Sequence, residues 1–207
     1  MLKDERVAHA VWAGRSGRSC RLSPASRRGF SLIELIVGVA VMAALLSIAI
    51  PAFSSMITQN QLATATNAAR GALMAARQSA VTKGRPVSLC AGTPGAGCTG
   101  DWSVGHWMVF EDADHSGDIE ADERILRHGR VPALSDTVRL DANGPLRTAL
   151  VYVPMGHAER VSGAFGAGRL RVCAEADLAP NARELVISAS GRVRLQSVDL
   201  DGACPDL

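Results

Sequence analysis

Several chemical signatures are missing from this 207-residue chain. There is no HExxH pair, no glycine-rich phosphate loop and no Rossmann fingerprint. No serine sits in a nucleophile-elbow pattern. His106, His115, His128 and His157 are scattered, and His106, between Gly105 and Trp107, reads as a structural residue. An enzyme is therefore not expected. No two cysteines have CxxC spacing, which argues against a zinc site. Internal repeats and low-complexity linkers are also missing. Charge is short in one place: from Phe30 to Ile50, 21 residues, Glu34 is the only charged side chain. After Arg28 no basic residue follows until Arg70. A broad basic surface is lacking too. Residues 1–29 hold seven of the 22 basic residues and two of the 20 acids, so the remainder is acidic, with 15 basic and 18 acidic residues. Any nucleic-acid site must be local.

What is present is an apolar run with basic residues on one side only. A 21-residue helix reaches roughly 30 Å, the thickness of a bilayer's hydrocarbon core. The charge bias puts the N-terminal side in the cytoplasm and the rest outside it. A secretory signal has a shorter apolar core with a small-residue cleavage site after it. Here the candidate processing point, Gly29 followed by Phe30, precedes the run, so cleavage would leave the membrane segment on the mature chain. Ser31, Leu32, Ile33 and Glu34 also form a capping box, with Glu34 at the positive end of the helix.

The order Arg27, Arg28, Gly29, Phe30, Ser31, Leu32, Ile33, Glu34, Leu35 resembles the class III leader of type IV pilins and type II secretion pseudopilins. The resemblance implies that a prepilin peptidase cuts after Gly29 and methylates the amine of Phe30. It implies that Glu34 meets the Phe30 amine of a neighbouring subunit, which would offset the cost of a carboxylate in a membrane helix. Pro51 falls where many members carry a proline that interrupts the helix. Residues 1–29 are then the leader, long for its kind, and 30–51 the transmembrane half of the N-terminal helix. A plain signal anchor, carrying a periplasmic domain that does not assemble, is the rival.

Residues 52–84 continue as an amphipathic half. Phe53, Met56, Ile57, Leu62, Ala65, Ala69, Leu73, Ala76 and Ala80 recur at three- and four-residue steps. Gln59, Asn60, Asn67, Arg70 and Arg77 take the other face. Lys83, Gly84, Arg85 and Pro86 read as a stop. The alanine-rich stripe needs a partner, and the simplest is the sheet that follows.

Residues 85–207 read as a β-rich domain of short runs separated by Gly, Pro, Asn and Asp. Strands are expected near 87–90, 102–110, 124–128, 137–140, 149–153, 168–173, 184–189 and 192–198. The fold class is α+β: a long N-terminal helix packed on an antiparallel β-rich domain, either two small sheets or a sandwich. Cys20 leaves with the leader. Cys90, Cys98, Cys173 and Cys204 remain, an even number outside the cytoplasm, so disulfides are expected and three pairings are open.

This arrangement resembles the GspH/FimT family of minor pilins and pseudopilins. The matching features are Gly105 to Phe110 ahead of an acidic turn, then Glu123 to Leu126, Val153 to Gly156, and Ser190 to Arg194. The resemblance implies a pilin-like fold and a subunit that joins a type IV pilus or a type II secretion pseudopilus. The partners it implies are other pilin subunits, the prepilin peptidase and the inner membrane, with the C-terminal domain in the periplasm or on a filament. It implies no cofactor.

Two local motifs carry chemistry. Asp112, Asp114, Ser116, Asp118, Glu120 and Glu123 match the ligand spacing of an EF-hand loop, with Gly117 at its turn. That makes the loop a candidate calcium site, although its flanks read as strands of a hairpin rather than helices. The alternative is a solvated acidic turn. Gly191, Arg192 and Arg194 form the second motif. Residues two apart in a strand share a face, about 7 Å apart by strand rise, close to the spacing of successive phosphates. This resembles the GRxR motif of FimT-type minor pilins that bind DNA in natural transformation. Arg169, Arg171 and Arg183 are candidate neighbours, while Glu184, Asp199 and Asp201 would weaken the attraction. The alternative is a hairpin with solvated arginines.

Overall fold

The computed structural model describes residues 29–207, so residues 1–28 of the expected leader, with Cys20, lie outside the described residues. One helix, α1 (Leu32–Lys83), opens the fold. It crosses two compact units that divide between Ala44 and Leu45. In the first unit every described residue is exposed. The most apolar window of α1 has mean hydropathy 2.6, none of it is buried, and the helix is long and apolar enough to cross a membrane. Pro51 sits inside α1 without breaking it, contrary to the expected interruption. A proline removes its own N–H donor and crowds the carbonyl four residues earlier, a cost the rest of a long helix can carry. At the far end Gly84 takes φ +64 and donates its N–H to Ala80 O at 3.0 Å, the glycine stop anticipated there.

The second unit has ten strands. They are β1 (Val87–Thr93), β2 (Gly97–Cys98), β3 (His106–Glu111), β4 (Ile125–Arg130), β5 (Val138–Ala142), β6 (Leu150–Tyr152), β7 (Ala158–Arg160), β8 (Gly168–Ala174), β9 (Ala182–Ile187) and β10 (Val193–Val198). They form two antiparallel sheets: β4-β3-β1-β6-β7 with β2 on β1, and β10-β9-β8-β5. The β2 and β7 strands were not anticipated, being too short to carry an alternating pattern. The strand expected from Trp102 begins only at His106, because Gly105 turns the chain at φ +77. Trp102 is instead buried, its Nε1–H donating to Leu146 O at 2.7 Å.

One core joins α1 to both sheets. Leu62, Ala65, Ala69, Leu73, Ala76 and Ala80 pack in it with Val87, Leu89, Val109, Leu140, Leu170, Leu185 and Ile187. Alanines keep the helix surface shallow, so sheet side chains can approach the helix closely. The apolar stripe thus divides. Its later members are buried, whereas Phe53, Met56 and Ile57 remain exposed. Alternation in β1 and β3 creates a second, smaller cluster on the other face of the first sheet. Cys90, Met108, Phe110 and Ala149 lie there, with Ile119 and Ile125 against them. Disulfides join Cys90 to Cys98 and Cys173 to Cys204. The first closes the β1–β2 hairpin, and the second ties the C-terminal tail to β8.

Candidate functional site

Three regions hold the residues singled out in the sequence. Gly29 and Phe30 precede α1 in exposed, non-helical chain. Leu35 N–H donates to Ser31 O at 3.2 Å, which opens the helix with Glu34 in its first turn. A carboxylate is favourable there because the first turn presents unpaired N–H groups. Glu34 and the aliphatic residues around it are exposed.

The acidic loop, residues 112–124, links β3 to β4 as a hairpin, as expected from its flanks. Phe110 pairs with Ile125, with a bulge between Val109 and Phe110. Ile119 packs under the loop on the Met108 and Phe110 cluster. At Gly117 (φ +76) a Cβ would come within 2.4 Å of Val161 Cγ1, so only glycine fits that approach. Asp112 is fully buried. Its Oδ2 accepts from Ser88 Oγ–H and, at 3.1 Å, from Gly117 N–H. Its Oδ1 is buried and accepts nothing. Asp112, Asp114 and Glu123 bring carboxylate oxygens within 4.8 Å of one another. The carboxylates of Asp118 and Glu120 are not in that group, and Ser116 Oγ–H donates to Asp118 O at 3.1 Å.

Backbone donors hold the other two carboxylates of the group. Glu123 accepts from Ala113 N–H at 3.1 Å and Glu120 N–H at 3.2 Å. Burial pushes Glu123 above the usual carboxylate range, with Asp112 and Asp114 adding repulsion, against the pull of those two N–H groups. The Ser116 N–H holds Asp114 below that range. His115 and His157, far apart in sequence, both reach Glu159 on β7, at 3.7 and 2.8 Å, so His115 tethers the loop to the domain.

The third region is the β9–β10 turn. Arg192 and Arg194 are exposed, and neither makes an ion pair among the described residues. The strand starts at Val193, so Arg192 lies at the exit of the turn; its carbonyl still accepts from Ser188 N–H at 3.0 Å. Gly191 is buried at φ +72, and a Cβ there would come within 2.1 Å of Gly156 O. Gly191 therefore shapes the turn. Arg77 of α1 secures it, its Nε–H donating to Gly156 O at 2.8 Å and its Nη2 to Ser190 O at 3.4 Å. This role was missed, because Arg77 reads as part of the solvent face of the helix.

Register decides which arginines are neighbours. Arg194 and Arg169 both stand opposite Val186, so the three share a face. Arg171 stands opposite Glu184 on the same face, and Arg183 alternates to the other. Glu184 is almost fully buried. It accepts from Arg171 Nε–H at 2.8 Å and Gln196 Nε2–H at 2.8 Å, and Arg169 lies 3.8 Å away. Burial alone would raise its pKa. The hydrogen bonds from Arg171 and Gln196, with the arginine charges, bring the net shift below the ordinary value. Arg171 is thus committed to Glu184 and Arg169 partly so, which leaves Arg192 and Arg194 as the uncommitted pair.

The model of a family described as type II transport protein GspH matches residues 65–191. A second, the prokaryotic N-terminal methylation motif, matches residues 24–50. No curated protein matches the chain. Among solved structures, the type IV minor pilin FimU of Pseudomonas aeruginosa is similar at 20% identity and TM-score 0.48, over 67% of this chain and 90% of that one. The minor pseudopilin EpsH of the type 2 secretion system of Vibrio cholerae is similar at 12% identity and TM-score 0.42, over 65% and 97%.

Proposed function

The chain belongs to the GspH family of type II transport proteins, and we propose that it enters a filament through the exposed first half of α1 after cleavage between Gly29 and Phe30. It is a minor pilin or pseudopilin of the type II secretion or type IV pilus kind, a structural subunit and not an enzyme. The family implies other pilin subunits and processing by a prepilin peptidase, and the N-terminal helix with its motif is consistent with inner-membrane anchoring before assembly. In the finer reading residues 1–29 are the leader, 30–51 cross the inner membrane once, 52–84 carry the amphipathic half and 85–207 lie on the periplasmic side or on the filament.

The observation that carries this reading is the complete exposure of α1 from Leu32 to Ile50, aliphatic on every side, with Glu34 as its one charge. Such a helix needs lipid or other subunits around it. Glu34 then pairs with the amine of Phe30 on a neighbouring subunit. The test is Glu34→Ala in cells that assemble the filament. The expected outcome is normal membrane insertion and cleavage with the subunit missing from sheared filaments. Undiminished incorporation would defeat the role given to Glu34.

A second reading adds DNA binding, supported by the exposure of Arg192 and Arg194 and by the absence of an ion pair on either among the described residues. Guanidinium groups free of carboxylates suit phosphate oxygens. Full-length protein in detergent, titrated with duplex DNA across a salt series, is expected to bind less at high salt. Arg192→Ala/Arg194→Ala should lower the slope of log affinity against log salt by about 2. Unchanged binding by the double variant would remove the motif from this role.

A further inference from the structure

We infer that the β3–β4 loop is a calcium site built on Asp112, Asp114 and Glu123, a function separate from filament entry. Two observations support it independently. The first is the convergence of three carboxylates, with ligand oxygens all within 4.8 Å of one another. Calcium binds oxygen at about 2.3–2.6 Å, so two of its ligands lie at most roughly 5 Å apart, whereas magnesium at about 2.0–2.1 Å demands a tighter octahedron. The second is Asp112 itself. The residue is fully buried, two donors occupy its Oδ2, and its Oδ1 is sealed from solvent with no hydrogen-bond partner. A buried carboxylate oxygen without a donor is costly. A cation between Asp112, Asp114 and Glu123 removes that cost.

The charges nearby favour the same reading. Asp112, Asp114, Asp118, Glu120, Asp122 and Glu123 form no ion pair among the described residues. Lys83 and Arg85 are committed to Glu111, at 3.0 and 4.0 Å. The loop is also rigidly seated, by Ile119 beneath it, Gly117 against Val161 and the Ser88 hydroxyl from β1. Asp112 and Glu123 are the first and last ligand positions of the EF-hand spacing, so both ends of the loop meet at the ion. The flanking elements are strands, and the ion would lock the hairpin closed rather than open a pair of helices. Extracellular modules of this kind bind calcium at roughly 10⁻⁴–10⁻³ M.

The test uses the full-length chain in detergent, freed of metal, and follows calorimetric binding of calcium chloride and the unfolding temperature. Calcium at about ten times its dissociation constant is expected to raise the unfolding temperature by roughly 2–5 °C, with magnesium giving less than half of that. Asp114→Asn, at an exposed position where the amide oxygen still accepts from Ser116 N–H, and Glu123→Gln, whose amide oxygen can serve only one of the Ala113 and Glu120 N–H donors, should each weaken calcium at least tenfold. Asp114→Asn should unfold at the wild-type temperature in chelator, and it is the variant that separates lost calcium from lost loop structure. No heat and no thermal shift from folded wild type at millimolar calcium would overturn the proposal. So would calcium binding that both variants retain in full, or an equal response to magnesium. Binding is read on the unassembled chain, so the result does not depend on filament entry.

Discussion

The two halves of α1 are built from different residues and meet opposite fates. Between Leu32 and Ile50 the helix is aliphatic on all sides, and every residue is exposed. Between Leu62 and Ala80 one stripe of Leu62, Ala65, Ala69, Ala72, Leu73, Ala76 and Ala80 is buried to 2% exposure or less. The difference lies in side-chain size and in what occupies the remaining faces. The later half presents mainly alanine toward the sheets and polar residues such as Asn67 and Arg70 to solvent, so its own chain can cover it. The first half has no polar face, and among the described residues it is exposed throughout. The width of the apolar face separates a core helix from one that needs a bilayer or neighbours.

This contrast can be broken by a charge. Ala69→Asp puts an unpaired carboxylate into the core and should cost the domain about 4 kcal/mol or more, read as loss of cooperative unfolding or a steep fall in denaturant midpoint. Ala40→Asp should leave unfolding of the domain unchanged and weaken membrane insertion by roughly 2.5–3.5 kcal/mol if the position lies mid-bilayer. Equal effects of the two changes on domain stability would erase the distinction. A milder pair sharpens the boundary. Leu73→Ala should cost about 2–5 kcal/mol through the cavity it leaves. Phe53→Ala, exposed and about 160° round the helix from Leu73, should stay within about 0.5 kcal/mol. A large loss from Phe53→Ala would mean that the buried stripe begins earlier than Leu62.

The helix stop at Gly84, eight of the ten strands and the hairpin around the acidic loop were legible, because each depends on neighbours in sequence. The stripe was read too long: at about 100° per residue Phe53 stands about 160° round the helix from Leu73, so the early members do not share the buried face. The acidic loop was half legible. Its spacing marks six candidate ligands, but the burial of Asp112 depends on Ser88, which reaches it from a strand 24 residues earlier. Only three of the six acidic or hydroxyl side chains converge. Around Arg194 the pairing was not legible: Glu184, read as an acid near the motif, is buried and occupied by Arg171 and Gln196. Arg77 shows the reverse problem, a residue assigned to solvent that holds the Ser190 turn across 113 positions.

The central claim is that the first half of α1 stays on the mature protein and begins at Phe30. Mass spectrometry of the N-terminal peptide, from protein purified out of cells that express the prepilin peptidase, tests it most directly. The expected peptide starts at N-methylated Phe30 and contains Glu34, and Gly29→Ala should abolish it. A mature N-terminus beyond Ile50, or an unprocessed chain still carrying Arg27 and Arg28, would contradict the account.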